Sequence, residues 1–406
     1  MLGRARKLLR VSSNTTGPTP WRRLGVSIYL PTTLSFVGFG AIVPLIPLTA
    51  RALGASVAEA ALVVALMGIG SLVGALPAGV IADRFGEKKS LVGAMMLDAV
   101  CLLICAFATS EWVLAGAVFV IGLSGAMLTL ARQSYLTVAV PLAYRARALS
   151  TLGGVFRIGN LVGPLMGAAV VTVWGLQAAY LVAAGTSLLA MVVTLALPEL
   201  PAEPDSVDEP VRMLHVLRGH ARVFATAGVG ASALMLVRAS RDALLPLWCE
   251  QIGLNAATTS LIFAVSSGID MTLFYVGGSV MDRFGRRWVA VPAIVIMAVC
   301  FALLPLAHDT PAVALIAAVL GLGNGISAGV VLTIGSDLSP ALGRPQFLAG
   351  WRLTTGIGQA AGPLLITAVA AVAPLGLAAV TIGAIGLAGS GWLWKWVPAT
   401  VGRAHP

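Results

Sequence analysis

The sequence predicts an all-α membrane protein with twelve transmembrane helices in two pseudo-symmetric six-helix bundles. Three observations lead there. Apolar residues make up 58% of the 406 residues and charged ones only 10%, against about 25% charged in soluble domains. A polar shell that thin cannot cover a soluble globule, so lipid is the expected solvent for most of the surface. The apolar residues fall into runs near the about 20 residues a helix needs to cross the hydrocarbon core. The second half of the chain also repeats the first at a fixed offset of 199 positions.

That ruler places spans at 24–49, 57–82, 89–109, 112–136, 147–173 and 176–198, then at 221–248, 257–281, 287–307, 311–336, 345–372 and 374–396. Spans one, five, seven and eleven are long enough to tilt or break. The expected organisation is a basic tail over 1–23, a bundle over 24–198, a linker over 199–220, a bundle over 221–396 and a tail over 397–406. The first apolar run is too long for a signal peptide's apolar region, so it reads as a retained span. The linker, with Glu199, Glu203, Asp205, Asp208 and Glu209 among prolines, reads as a solvated tether.

The net charge of +10 does not point to nucleic acid, because the basic residues recur in short clusters between apolar runs. One side of the membrane receives the tail (Arg4 to Arg23) and the clusters at Arg84, Lys88 and Lys89, at Arg145 and Arg147, and at Arg212 to Arg222. Arg283, Arg286, Arg287, Arg344, Lys395 and Arg403 fall on that side too, and the opposite side receives only Arg51. The positive-inside rule then makes both termini cytoplasmic, in a bacterial-type inner membrane. Trp21, Trp112, Trp174, Trp248, Trp288, Trp392, Trp394 and Trp396 fall at span ends, where an amphipathic ring prefers the interface; Trp351 is the exception. Cys101, Cys105, Cys249 and Cys300 form no CxxC or metal pattern and read as small packing residues. No cofactor or metal is expected.

The repeat carries motifs. The offset of 199 lays Asp83-Arg84-Phe85-Gly86 on Asp282-Arg283-Phe284-Gly285, Gly79 on Gly278, Lys88 on Arg287, and Gly159, Gly163 and Pro164 on Gly358, Gly362 and Pro363. Six spans per half give both copies the same orientation, so the repeat axis runs along the membrane normal. In the loop after spans two and eight, Gly79 and Gly278 would let helices pack closely. The aspartates would sit against a neighbouring helix N-terminus, where about half a positive charge is available. Gly86 and Gly285 would turn the chain, and Lys88, Lys89, Arg283 and Arg287 would hold the loop at the headgroups.

These residues resemble the loop signature of the major facilitator superfamily, and the twelve spans, central linker and doubled signature extend the resemblance over essentially the whole chain. It implies the major facilitator fold and a role for Asp83, Arg84 and Asp282 in a gate; a merely tight turn is the alternative. Gly159, Gly163, Pro164 and Gly167 in span five look like the motif associated with antiporters of that superfamily, with Ala168 in place of a frequent final glycine. A close-packing kink is the competing reading. The resemblance also implies that spans one, four, seven and ten line a central path, with two, five, eight and eleven flanking it. Drug antiporters often carry an arginine in span four, but Val118 to Gly122 is wholly apolar, and span one has no acid.

Seven ionisable residues read as lying inside the membrane: Asp98, Arg157, Arg238, Arg241, Asp242, Asp270 and Arg352. Each costs roughly 2.5–3.5 kcal/mol at a helix centre, so each needs a partner or a wet cavity. The offset lands none of them on another charge, which marks them as candidates for the cargo or the coupling ion. Arg238 and Asp242, four apart, are placed for a same-helix ion pair. Arg241 is left to reach Asp270 or an anionic group, and Asp98 on peripheral span three reads as a packing partner. Asp270, with Asp242 second, is the expected proton carrier, because burial favours the neutral carboxyl and a nearby guanidinium the charged one.

The expectation is a secondary transporter working by alternating access, with multidrug-type, proton-coupled efflux of a small organic solute first and uptake or exchange of an organic anion or sugar second. The expected partners are that solute, protons and the bilayer, with the chain a monomer. The absence of a GxxxxGK(S/T) loop excludes a nucleotide-driven pump. A polytopic membrane enzyme would need a reactive cluster, and His215, His220, His308 and His405 show no metalloenzyme spacing.

Overall fold

A computed structural model describes residues 28–140, 142–196, 213–340 and 342–397. The expected tails over 1–23 and 397–406 lie outside the described residues except for Val397, as does the linker before residue 213, with Trp21, Arg212 and Arg403. Ten helices among the described residues are each long and apolar enough to cross a bilayer. One of them, Leu142–Leu195, has 54 residues and breaks at Gly175 (φ 81°, ψ 178°). At 1.5 Å per residue it is twice the length a bilayer needs, so it supplies spans five and six. The pair Leu30–Ile42 and Ile46–Ala52, bent by 41°, forms span one and completes the twelve.

The other spans are Val57–Phe85, Glu87–Ala106, Glu111–Ala139, Val229–Gln251, Ala256–Phe284, Arg287–Leu303, Thr310–Ile326 continued by Val330–Leu338, Arg344–Ala370 and Leu375–Trp396. Span seven is entered through a π turn at Phe224–Gly228. Of the spans long enough to tilt or break, span one bends by 41°. Spans five and eleven run through Pro164 and Pro363 as helix, while span ten breaks at Gly329, whose φ of 82° no helix accommodates. Gly86 (φ 81°) and Gly285 (φ 101°) make the predicted turns at equivalent places in the two halves.

Small residues bring the backbones together, as lipid supplies no hydrophobic force between helices. A Cβ on Gly163 of span five would stand 2.6–2.7 Å from Val37, Gly40 and Ala41 of span one. A Cβ on Gly362 of span eleven would stand 2.5 Å from Leu236 O and 2.8 Å from Ser240 Oγ of span seven. Gly79 and Gly278 do not serve this purpose: a Cβ on either meets nothing within 4 Å. Their neighbours Gly74 and Gly277, packed on Leu123 and Ile326, do. Trp248 also departs from expectation; it is buried and donates to Ala307 O at 2.9 Å instead of facing the interface.

The two halves share one apolar core at the end opposite the termini, where Ile42, Ile46 and Ala50 join Leu244, Leu247 and Trp248. On the terminal side the first half has a separate cluster built from its own residues, among them Ile28, Leu91, Met95, Leu136 and Leu152. The buried apolar residues of the two halves therefore join on the side opposite the termini, and on the terminal side the first half packs a cluster of its own.

Candidate transport site

Span eight carries Asp270 into the interface between the halves, where it is 8% exposed. Gly325 lets span ten approach so closely that an added Cβ would lie 2.6 Å from Asp270 O. That approach brings in Asn324, whose Nδ2 donates to Asp270 Oδ2 at 2.8 Å and whose Oδ1 accepts from Arg238 Nε at 2.7 Å. From the other half, Arg157 of span five donates to Asp270 Oδ1 and also, at 3.3 Å, to Asp270 O. Its guanidinium lies 4.4 Å from the Phe274 ring centroid. The result is one chain, Arg238–Asn324–Asp270–Arg157, that crosses from half to half. Asn324 was not among the sequence candidates, because a lone amide between glycines in an apolar run gives no pattern.

Two expected pairings are corrected. Arg238 does not pair with Asp242, since Asn324 occupies its Nε. Arg241 does not reach Asp270; its Nη1 donates to Ser266 Oγ at 3.3 Å, its Nε lies 3.6 Å from Asp242 Oδ1, and it covers the Phe263 ring at 4.5 Å. Helical spacing permits the Arg238–Asp242 contact, but the rotamers follow the neighbouring spans.

Beside this chain lies a cavity of about 190 Å³ among spans one to four, closed by Ala239, Asp242, Gln359 and Pro363 of the second half. Asp98 lines it, accepting from Ser187 Oγ at 3.0 Å and Ser124 Oγ at 3.3 Å, so it is a wall of the cavity as well as a packing partner. Arg132 lines it too, 3% exposed, with Nη2 on Ser35 Oγ at 2.8 Å and the Phe36 ring at 5.6 Å. Arg132 was missed from the sequence. Span four does contain an arginine, ten positions beyond Gly122 and within the expected 112–136, near the polar end of that span.

The halves also meet away from the cavity. Arg51 Nε lies 3.0 Å from both carboxylate oxygens of Glu250. These residues are 199 apart, the repeat offset, so equivalent positions touch on the pseudo-twofold axis. Arg352, exposed on span eleven, donates to Gln133 Oε1 of span four at 2.8 Å.

The family model of the Major Facilitator Superfamily matches residues 28–281 and 227–405. The chain belongs to the major facilitator superfamily. The multidrug resistance protein MdtG of Salmonella arizonae is 31% identical over 170 residues, 41% of this chain and 42% of that protein. MdtG of Salmonella paratyphi B matches to the same extent; the match thus spans less than half of these relatives. A D-xylose–proton symporter superposes with a TM-score of 0.71 over 93% of this chain and 99% of its own, at 16% identity. A POT family transporter solved with 5-aminolevulinic acid gives 0.78 over 93% and 96%, at 13% identity. At such identities these structures establish the fold alone. The chain is a multi-pass membrane protein of this superfamily.

The superfamily's loop signature is built differently here from the expectation. Asp282 has a side chain that is 79% exposed and, among the described residues, reaches Arg286 at 3.9 Å. The tie is made by Arg286, whose Nε donates to Asp337 at the end of span ten at 2.8 Å and whose Nη1 donates to Met281 O at 3.1 Å. At the equivalent position of the first half, Glu87 accepts from Ser134 Oγ of span four at 3.2 Å. The Asp83 side chain lies outside the described atoms; Arg84 is exposed against Phe85. Arg287 donates to Val397 O at 2.7 Å. In span five, Gly159, Gly163 and Gly167 all face the span-one backbone, at Phe36, Gly40 and Ala41, which matches the close-packing reading of that motif.

Proposed function

We propose that this transporter moves a small organic solute by alternating access, coupled to protons through Asp270, with efflux as its working direction and both termini cytoplasmic. The carrying observation is the Asp270–Arg157 contact. It joins the halves near mid-membrane, and it needs the carboxylate form. A proton on Asp270 removes the charge that holds Arg157, so proton loading and the inter-half tether exclude each other. Asn324 and Arg238 hold the carboxylate in place from the second half, leaving the tether as the part that is free to change. The likeness to MdtG, a multidrug resistance protein, supports efflux, and the clusters of arginine and lysine support the orientation.

The test is proteoliposome transport with and without a pH gradient. Asp270→Asn is expected to abolish proton-driven accumulation while solute exchange persists; unchanged uphill transport removes Asp270 from the mechanism. The second reading, carriage of an organic anion, is favoured by Arg132 in the cavity. Overexpression that raises drug resistance supports the first reading, and growth on an organic acid supports the second.

A further inference from the structure

Among the charged groups of the cavity, Arg132 is the one left short of partners. Asp98 accepts two serine hydroxyls, and Asp242 has Arg241 beside it. Arg132 is 3% exposed, its one hydrogen bond is to the hydroxyl of Ser35, and its Nε has no partner among the described residues. No carboxylate lies within 4.0 Å of it among those residues. A guanidinium offers five donors in a fork that fits a carboxylate or phosphate. Burying one with a single neutral acceptor is costly unless something else completes it. Asp98 lines the same cavity, bonded to its two serines and not to Arg132. The apolar part of the wall is Phe36, Phe39, Val64, Met67, Ile121 and Leu128, beside the polar Ser71, Thr129 and Gln359.

We propose that the cavity is an anion-recognition site, in which Arg132 takes the acidic group of a small amphipathic organic acid and the aromatic and aliphatic wall takes its apolar body. The proposal rests on the reading that this cavity carries the cargo, and it names the cargo's class. It also assigns Asp98 a part. Asp98 lines the cavity that the anion enters and its charge opposes the incoming one, so neutralising it strengthens binding. A site for organic cations behaves in the opposite way, since Asp98 and Asp242 would then be its ligands.

The test uses three probes of one shape and different charge: benzoate, benzylamine and benzyl alcohol, titrated by calorimetry into the purified full chain in lipid nanodiscs. Benzoate is expected to bind, Arg132→Gln to weaken it by about tenfold or more, and Asp98→Asn to tighten it by about threefold. Arg132→Lys keeps the charge without the fork and is expected to fall between wild type and Arg132→Gln, which separates recognition from folding. Binding of benzylamine in place of benzoate, benzoate binding indifferent to Arg132→Gln, loss of binding in Asp98→Asn, or no binding by any probe overturns the proposal. Counterflow of the same probes in proteoliposomes separates it from the reading beneath. Exchange of benzylamine alone keeps the transport site and discards the anion. Benzoate bound through Arg132 but never exchanged keeps the anion and discards the cavity as the cargo route.

Discussion

The same three positions are built in opposite ways in the two halves. Phe39, Ser71 and Gly125 line the cavity of the first half. Moved by the repeat offset of 199, they become Arg238, Asp270 and Asn324, the polar chain that fills the second half. One bundle thus keeps a space open and the other plugs the matching space with hydrogen-bonded charge. What the halves share is backbone contact, in the glycine seams between spans one and five and between seven and eleven. Shared features hold the bundles together, and unshared ones make the path chemically one-sided.

The largest expected effect comes from the shared part. Gly163→Leu and Gly362→Leu should both cost folded protein, because the added atoms meet backbone that cannot move aside; overpacking of this kind costs about 1–3 kcal/mol or more. Size-exclusion profiles and thermal melts of the two variants should fall together, and a stable variant of either would break the equivalence of the seams.

Next comes the unshared part. Arg157→Gln leaves Asp270 with Asn324 alone and should uncouple transport from the pH gradient without lowering the melting temperature as far as the seam variants do. Gly356, its counterpart by the offset, has no charge to lose. Retained coupling in Arg157→Gln would show that the inter-half tether is not the switch.

A smaller effect is expected at the axis. Arg51 and Glu250 are each about a third exposed, at 32%, and such pairs contribute roughly 0.2–1 kcal/mol. Glu250→Gln should shift the balance between the two access states by less than tenfold, and the exchange of Arg51→Glu with Glu250→Arg should restore it, as measured by the accessibility of a cysteine at Ala52. Smallest of all, Gly79→Ala and Gly278→Ala should leave folding intact, since nothing lies near the added carbon.

The fold was legible because its causes are written along the chain: span length answers to bilayer thickness, and the repeat is an ungapped offset. The site was legible only in part. Asp270, Arg157, Arg241 and Asp242 stand out as charges in apolar runs, but their partners depend on how neighbouring spans rotate. Spacing along one helix therefore suggested Arg238–Asp242, where span ten supplies Asn324 instead. Arg132 was hidden by its polar surroundings, and Asn324 by being uncharged. In the loop signature, sequence pointed to Asp282, whereas geometry uses Arg286 and Asp337, because an aspartate at the last turn of span eight projects into solvent.

The central claim is that Asp270 ties two halves that rock against each other. It is tested most directly by paired spin labels in a variant with its four cysteines replaced. One pair, at Val80 and Tyr275, reports the terminal side, and the other, at Ala52 and Gln251, reports the opposite side. Asp270→Asn is expected to shorten the first distance and lengthen the second in the same population of molecules. Distances that stay fixed, or that move in the same sense, would contradict the account.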